Sequence, residues 1–281
     1  MEDQDNSALA RGLAVLRCIA DARRPLANRE IVERTGIPKA TASRITAQLL
    51  AARLLRHEPE GDRFGLGTGV LDLSRAFLEP LDARSAVRTH LREFTEAVGA
   101  SVHLGLRDGL DMIVIETVRP RSAAVVTRLD VGSRMPVATS AMGRAWLAGL
   151  DAGERQAMLT ALMQAGGSGW PASLAAIEHA QADIARRGFC ASFGDWSPEV
   201  NAIGSWLRWP NGELYAVSCG GTAYRLPEPL LAGAIAERFA AAMEGVCRET
   251  GATCPLVAQT EPPLDRRPAP ARSPRTRKNS A

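Results

Sequence analysis

Residues 28–54, NREIVERTGIPKATASRITAQLLAARL, decide the fold of the N-terminal part of the chain. Asn28 favours the start of a short helix, since a side-chain oxygen at that point caps free backbone amides. Gly36 stands where helices commonly end in a left-handed conformation, and Pro38 suits the first position of a following helix. The stretch therefore predicts two helices joined by a tight turn. The side chains expected to face the core are Ile31, Val32, Ala42, Ile45 and Leu49.

The flanking segments complete a small domain. A first helix is predicted over residues 7–20, because leucine and isoleucine recur there at helical spacing (Leu9, Leu13, Leu16 and Ile19). Residues 53–57 and 63–66 favour two short strands, and the Pro- and Gly-containing turn between them favours a hairpin. Helix, helix, turn, helix and hairpin in this order predict a winged helix-turn-helix domain over residues 1–66.

The third helix offers a small and polar outer surface. With its apolar residues turned to the core, a step of about 100° per residue points Ala40, Ser43, Arg44 and Ala47 outward. A helix that enters the DNA major groove needs such a surface, because small residues allow close approach and arginine bonds a guanine edge. The sequence thus predicts a double-stranded DNA operator as partner. The candidate contacts are Lys39, Thr41, Ser43, Arg44, Gln48 and, near the hairpin tip, Arg63.

A second domain follows a connecting helix at residues 67–80. Residues 81–254 alternate between helical and strand patterns, with strands expected at 101–107, 112–118, 123–129, 189–193, 201–208 and 214–219. This alternation predicts an α+β domain built on one central antiparallel sheet with helices against it. Residues 255–281 are rich in Pro and Arg and lack periodicity, which predicts a disordered basic tail.

Composition narrows the function further. The chain has 281 residues, five scattered cysteines and four isolated histidines, so neither a disulfide framework nor a metal site has support, and no cofactor is expected. No apolar run is long enough for a membrane span, and the acidic N-terminus has no secretory pattern, so a cytoplasmic location is expected. Residues 262–281 carry six basic side chains and one acidic side chain, which predicts salt-dependent affinity for DNA in the tail.

Three segments of the second domain suggest a small-molecule pocket. Residues 140–143 begin a helix, whose free amides and dipole suit an anion. Residues 192–196 form a polar and aromatic loop after a strand, and residues 218–222 end another strand without bulky side chains. Together they favour a small organic acid, with Trp196 or Phe193 covering its apolar part.

The chain resembles the IclR family of bacterial transcriptional regulators over roughly residues 7–250. In the second domain the resemblance is carried by VHLGLRDGLDMIVIET (102–117), VGSRMPVATSAMGRAWLAGL (131–150) and RRGFCASFGDWSPEVNAIGSWL (186–207). It implies a winged helix, a linker helix, a GAF-like effector-binding domain and homodimers that often pair into tetramers. It also places effector contacts on Ala141, Met142, Ser192, Val200, Ala202, Ser218 and Gly220.

This sequence departs from the family pattern at the ligand's polar partner. Many relatives carry an acid near Ser192 and a cysteine at the place of Ala202. Asn201 and Asp195 are the substitutes expected here. Glycines 143, 220 and 221 have a plainer interpretation as turn residues, and Met142 and Trp146 as core residues.

The leading hypothesis is a ligand-responsive regulator whose dimer recognises a near-palindromic operator. One alternative is a constitutive DNA-binding protein whose second domain serves only for dimerisation. Another is a thiol hydrolase that uses Cys190 or Cys219 with His103 or His179, although the sequence has no nucleophile-elbow motif. The first domain has two plainer interpretations. Its charges could be ordinary surface charges that contact no DNA, or the winged helix could bind another protein.

Overall fold

The computed structural model describes residues 7–59, 61–121 and 129–258. The chain divides after Asp82 into two compact units, here called the N-terminal unit and the C-terminal unit. The strand predicted at 123–129, apart from Leu129, and the tail from residue 259 lie outside the described residues. None of the described helices is both long and apolar enough to cross a membrane.

The N-terminal unit has the predicted winged helix-turn-helix order. Its elements are α1 (Ala8–Ala22), β1 (Leu26–Ala27), α2 (Asn28–Thr35), α3 (Lys39–Ala51), β2 (Leu55–His57), β3 (Arg63–Leu66) and α4 (Gly69–Leu78). Strand β1 was not predicted. It pairs antiparallel with β3, and the small sheet has the order β1-β3-β2.

The ends of these helices follow local sequence, with two shifts of one residue. Ser7 caps α1 by accepting a hydrogen bond from the Ala10 amide at 3.1 Å, and Gly36 ends α2 with a positive φ of 69°. Asn28, however, is the first residue of α2 and not its cap. Glu30 satisfies the free Ala27 amide at 2.9 Å instead. Pro38 precedes α3 as its cap residue rather than opening the helix.

The core of this unit closes around the predicted inner faces of α2 and α3. Ile31, Ala42 and Ile45 are buried. The apolar pattern of α1 behaves differently, because its buried residues are Val15 and Ile19, whereas Leu9 and Leu13 are 73% and 44% exposed. Two of the three leucines that recur at helical spacing in α1 thus lie outside the core of the unit.

The C-terminal unit is the predicted α+β domain. Its described strands form one antiparallel sheet in the order β6-β5-β4-β9-β8-β7. They are β4 (Ser101–Asp108), β5 (Asp111–Val118), β6 (Arg134–Pro136), β7 (Cys190–Phe193), β8 (Val200–Arg208) and β9 (Leu214–Thr222). The longer helices are α5 (Asp82–Val98), α6 (Ala141–Gly149), α7 (Ala152–Gly166), α8 (Trp170–Arg187) and α10 (Ala236–Thr250).

Three boundaries differ from the prediction. Helix α8 begins at Trp170, whereas the apolar pattern predicts a start at Leu174, because Pro171 suits a first turn. The final helix, predicted as continuous over 228–249, is a short α9 (Glu228–Leu230) and a wide turn with non-helical backbone at Gly233 before α10. The tail was predicted to be disordered from residue 255, yet Pro255–Ala258 form a helical turn, α11, that buries Leu256.

Close backbone packing sets the start of α6 on the sheet. A Cβ at Gly204 of β8 would lie 2.6 Å from the Ala141 carbonyl oxygen, and one at Gly143 would overlap the backbone of Val137. Only glycine permits these approaches. Gly143 and Gly204 thus bring the first residues of α6 against the sheet, where the cavity described below opens.

Candidate functional site

The outer surface of α3 is the first candidate site. Lys39, Ser43, Arg44 and Gln48 are exposed and Thr41 is half-buried, as the helical pattern predicts. No hydrogen bond or ion pair joins Arg44 to another residue of the described chain. Ser43 accepts a hydrogen bond from the Asn28 amide at 2.7 Å, which links α2 to α3. This surface leaves a guanidinium group available at the centre of a small-residue face.

Arg63 lies in a different environment from the one predicted. It bonds the Glu30 carboxylate at 3.1 Å and the Pro25 carbonyl at 3.2 Å. Arg24 bonds the other oxygen of the same carboxylate at 2.6 Å. The hydrogen bond from Arg24, with one from the Ala27 amide, lowers the pKa of Glu30 to about 2. Glu30, expected to be merely solvent-exposed, therefore ties the hairpin to α2.

The second candidate site is a cavity in the C-terminal unit. It holds about 910 Å³ of space outside the atoms, part of it open to solvent. Its floor is formed by β4, β9, β8 and β7, and the start of α6 forms one wall. Cross-strand register aligns Ser101, Gly220, Ala202 and Ser192 in one row of the floor. The cavity is thus a partly enclosed space with both polar and apolar walls, as a small-molecule site requires.

Six of the nine predicted ligand contacts line this cavity. They are Ala141, Ser192, Val200, Ala202, Ser218 and Gly220. Gly220 lies within β9, so it is not a turn residue. A Cβ there would lie 2.5 Å from the Asn201 carbonyl oxygen.

The other three predicted contacts, Met142, Asn201 and Asp195, do not line the cavity. Met142 is fully buried in the core against Gly105, which matches its plainer interpretation. Asn201 lies between two cavity residues on a strand, so alternation turns its side chain away. Its amide donates to the Leu226 carbonyl at 2.9 Å.

Asp195 has its own partner on α6. Its carboxylate pairs with the buried guanidinium of Arg144 at 2.5 Å. Arg144 also donates to the carbonyl groups of Ala138 and Ala191, at 2.9 and 3.3 Å. The pair fastens the loop after β7 to α6, and Trp196 on that loop lines the cavity as expected. The Asp195 carboxylate is thus committed to Arg144 at a wall of the site and is absent from the described lining.

Sequence reasoning missed the cationic and imidazole side chains of the cavity. The polar lining residues that lie outside the predicted segments are Ser101, His103, Arg119 and Arg225. Arg119 donates to the Leu129 carbonyl and pairs with Asp130 at 2.8 Å. No Asp or Glu belongs to the described lining. Alternation along β4 places Ser101 and His103 on one face, which was the only local signal available.

His103 is held as a neutral imidazole. Burial lowers its pKa to about 4, and the nearby Arg119 adds to the shift, while Asp130 opposes it. At neutral pH the ring therefore offers one hydrogen-bond donor and one acceptor.

The cysteines do not fit the thiol hydrolase alternative. Burial raises the pKa of the Cys190 thiol to about 12, and the pKa of Cys219 is also raised. The Cys190 thiol donates to the Ala141 carbonyl at 3.4 Å. A nucleophilic cysteine needs a thiolate beside its base. His179, one of the two histidines considered as the base, is exposed on α8, where its Nε2 lies 3.5 Å from an Asp183 carboxylate oxygen.

A winged helix-turn-helix unit in one chain with a second unit that holds a partly enclosed, polar-lined cavity is typical of helix-turn-helix transcriptional regulators. Comparison with protein families agrees. The model described as bacterial transcriptional regulator IclR C-terminal matches residues 75–248, and that of the IclR helix-turn-helix domain matches residues 8–59. The chain belongs to the IclR family of bacterial transcriptional regulators.

Individual relatives extend over most of the chain. The HTH-type transcriptional regulator TsaQ1/TsaQ2 of Comamonas testosteroni is 28% identical over 226 residues, which are 80% of this chain and 81% of the relative. The crystal structure of an IclR family regulator from Brucella abortus is 30% identical, with a TM-score of 0.74, and the match covers 89% of this chain and 95% of that one. An IclR homologue from Microbacterium hydrocarbonoxydans, complexed with 4-hydroxybenzoate, has the same fold at 21% identity and a TM-score of 0.70, covering 85% and 97%.

Proposed function

We propose that this protein is a ligand-responsive transcriptional regulator. It binds a near-palindromic operator as a homodimer or homotetramer, and a small organic acid modulates that binding. The observation that carries the proposal is the combination of two sites in one chain. One is a cavity lined by guanidinium groups, and the other is helix α3, whose outer face exposes Arg44. Acting on chromosomal DNA, it would work in the cytoplasm.

The DNA contact is assigned to the outer face of α3. Arg44 is exposed and lacks an intramolecular partner in the described chain, so its guanidinium is available for a guanine edge. Lys39, Thr41, Ser43 and Gln48 surround it, and Ser43 is oriented by Asn28. Arg63, near the hairpin tip, is a further candidate for contact with the DNA backbone. Part of its hydrogen-bonding capacity is already committed to Glu30.

Self-association is assigned to apolar side chains left exposed by two helices of the N-terminal unit. On α1 these are Leu9 and Leu13, and on α4 they are Leu71, Leu73 and Phe77. Large apolar residues exposed in such number are typical of a surface that another chain covers. A two-fold dimer through this unit would present two copies of α3 to the two halves of a palindrome.

The effector is assigned to the cavity of the C-terminal unit. Arg119 and Arg225 supply positive charge, and the described lining holds no acidic side chain. Arg119 is already paired with Asp130, which leaves Arg225 as the guanidinium with uncommitted charge. Trp196, Leu129, Met135 and Leu226 supply the apolar surface. This combination favours an organic anion with an apolar body over a cation or a sugar.

The constitutive alternative predicts a different response to ligands. A unit used only for dimerisation has no need of a cavity of this size lined by charged and hydroxyl groups. The alternative does, however, predict the same footprint on DNA. Ligand response is therefore what separates the two.

The test is nuclease footprinting of the regions upstream of the neighbouring genes, with the full chain alone and with a panel of organic acids. The panel includes 4-hydroxybenzoate, which the Microbacterium homologue binds. We expect one protected, near-palindromic stretch whose protection changes with one of the acids. A footprint that no acid changes, together with no acid raising the melting temperature, would favour the constitutive alternative. No protected stretch at all would overturn regulation by this protein.

A further inference from the structure

Two polar side chains of the cavity form a cross-strand pair. His103 of β4 lies directly opposite Ser218 of β9 in the antiparallel register. Both line the cavity, and they are only 8% and 3% exposed. Opposite residues on one face of a sheet have their Cβ atoms about 5 Å apart, so a single ligand group can reach both side chains.

Neither side chain is committed to the protein. In the described chain, no hydrogen bond is made by the His103 imidazole or by the Ser218 hydroxyl. The cavity serines near α6 differ, because Ser140 donates to the Pro136 carbonyl at 2.7 Å and Ser192 donates to the Thr139 carbonyl at 2.9 Å. Neither residue contributes one of the fully buried, unpaired polar atoms of the described chain, so their polar atoms open onto the cavity, where a ligand group can bond them.

The chemistry of the pair sets the kind of partner. A neutral imidazole supplies one donor and one acceptor, and a serine hydroxyl supplies both functions as well. Such a pair satisfies an uncharged hydroxyl or carbonyl group, which also donates or accepts without carrying charge. A carboxylate is better matched by a guanidinium group, and Arg225, which follows the end of strand β9, provides one.

Resting on the proposed function, we infer that His103 and Ser218 form a subsite for an uncharged hydroxyl or carbonyl group of the effector. The cavity then selects a hydroxy acid or an oxo acid over the unsubstituted acid of the same size. An unsubstituted acid would displace solvent from both groups without replacing their hydrogen bonds, and sites built to bond a hydroxyl group strongly reject analogues that lack it.

The test compares matched pairs of ligands on the full chain by titration calorimetry. The pairs are benzoate with its 3-hydroxy and 4-hydroxy derivatives, and butyrate with 3-hydroxybutyrate and 3-oxobutyrate. We expect at least one substituted acid to bind about tenfold or more tightly than its parent. Ser218→Ala and His103→Phe should each bring that ratio close to one.

Ser205→Ala is the matched control. It removes a buried hydroxyl group from the same sheet, on strand β8, but one that lies outside the cavity lining and donates to the Gly188 carbonyl at 2.7 Å. It should therefore leave the preference for the substituted acid in place. Near-ultraviolet circular dichroism checks that each variant keeps its tertiary packing, and Ser218→Ala tests the subsite even where His103→Phe fails to fold.

The outcomes separate this inference from the function on which it rests. Parents and substituted acids that bind equally well overturn the subsite and leave an organic-acid effector standing. The same holds for a preference that survives Ser218→Ala. If no acid of either pair binds, the subsite is overturned and the organic-acid effector loses its support as well.

Discussion

The two units present their candidate sites in opposite ways. On α3 the side chains that matter stand in solvent, and Arg44 has no partner in the described chain. In the C-terminal unit the cavity residues are buried or half-buried apart from Arg225, and strands, loops and the start of α6 bring them together. A surface for a large partner can be built from one helix, whereas a small ligand needs walls from several elements. The predictions below test this contrast.

The largest expected effect is on the wall of the cavity. Gly143→Ala places a Cβ into the backbone of Val137, which cannot move aside as a flexible side chain would. We expect a loss of about 3 kcal/mol or more in the stability of the C-terminal unit. All five tryptophans lie in this unit (Trp146, Trp170, Trp196, Trp206 and Trp209), so tryptophan fluorescence during urea unfolding reports on it alone.

Gly153→Ala on α7 is the control for that substitution. A Cβ there meets only an Asp151 carboxylate oxygen at 3.6 Å. It should be neutral or stabilise by up to about 1 kcal/mol, because alanine favours the helix. Equal unfolding midpoints for the two variants would show that the close approach of α6 does not hold the wall.

The next effect is the response of the C-terminal unit to acid. The pKa of His103 is about 4 in the folded chain, against an ordinary value of 6.5. The unfolded chain therefore takes up a proton that the folded chain refuses, and stability falls as pH drops from 6.5 towards 4. At about 1.4 kcal/mol per pKa unit, the loss is of the order of 3 kcal/mol. His103→Gln should flatten the curve, and an unchanged slope in fluorescence-detected unfolding would contradict a buried neutral imidazole.

On the exposed side of the contrast, Arg44→Ala should weaken specific operator binding by about 1–3 kcal/mol, the range for a bidentate base contact. Self-association should stay intact, because the exposed leucines are untouched. Gel-shift titration measures the first and sedimentation the second. Arg248→Ala, which removes the same charge from an exposed pair with Glu244 on α10, is the control. Equal affinities for the two variants would remove Arg44 from the interface.

The same contrast explains what the sequence could foretell. The order of elements and the outward face of α3 depend on helical periodicity and on turn residues such as Gly36, which are local signals. Several residues that the family resemblance names as effector contacts, such as Ala202 and Ser218, line the cavity from strand faces, and their contact with a ligand stays a prediction.

The sequence did not reveal which residues and which strands pair with one another. Asp195 was expected to meet the ligand because it is a polar residue in the right loop, but Arg144, 51 residues away in sequence, pairs with it. His103 was considered only as a catalytic base, since nothing local indicates that β4 pairs with β9 rather than with another strand. The apolar pattern of α1 misled for a related reason: periodicity finds an apolar face without saying what covers it, and Leu9 and Leu13 are exposed in this unit.

The smallest expected effect lies in the N-terminal unit, at Glu30. Its lowered pKa means that the folded unit favours the carboxylate, so the stabilisation is present above about pH 4.5 and is lost as pH falls towards 2. This window lies below that of His103, so the C-terminal unit should weaken first on acidification. Glu30→Gln should remove the acid-dependent loss of stability of the N-terminal unit. The unit is followed by the part of the helical circular dichroism signal that changes while tryptophan fluorescence does not.

Glu33→Gln, the control, makes the same charge change on α2 at an exposed i,i+4 pair with Arg29, which contributes little to stability. Identical acid profiles for the two variants would mean that the link between the hairpin and α2 does not depend on the Glu30 charge.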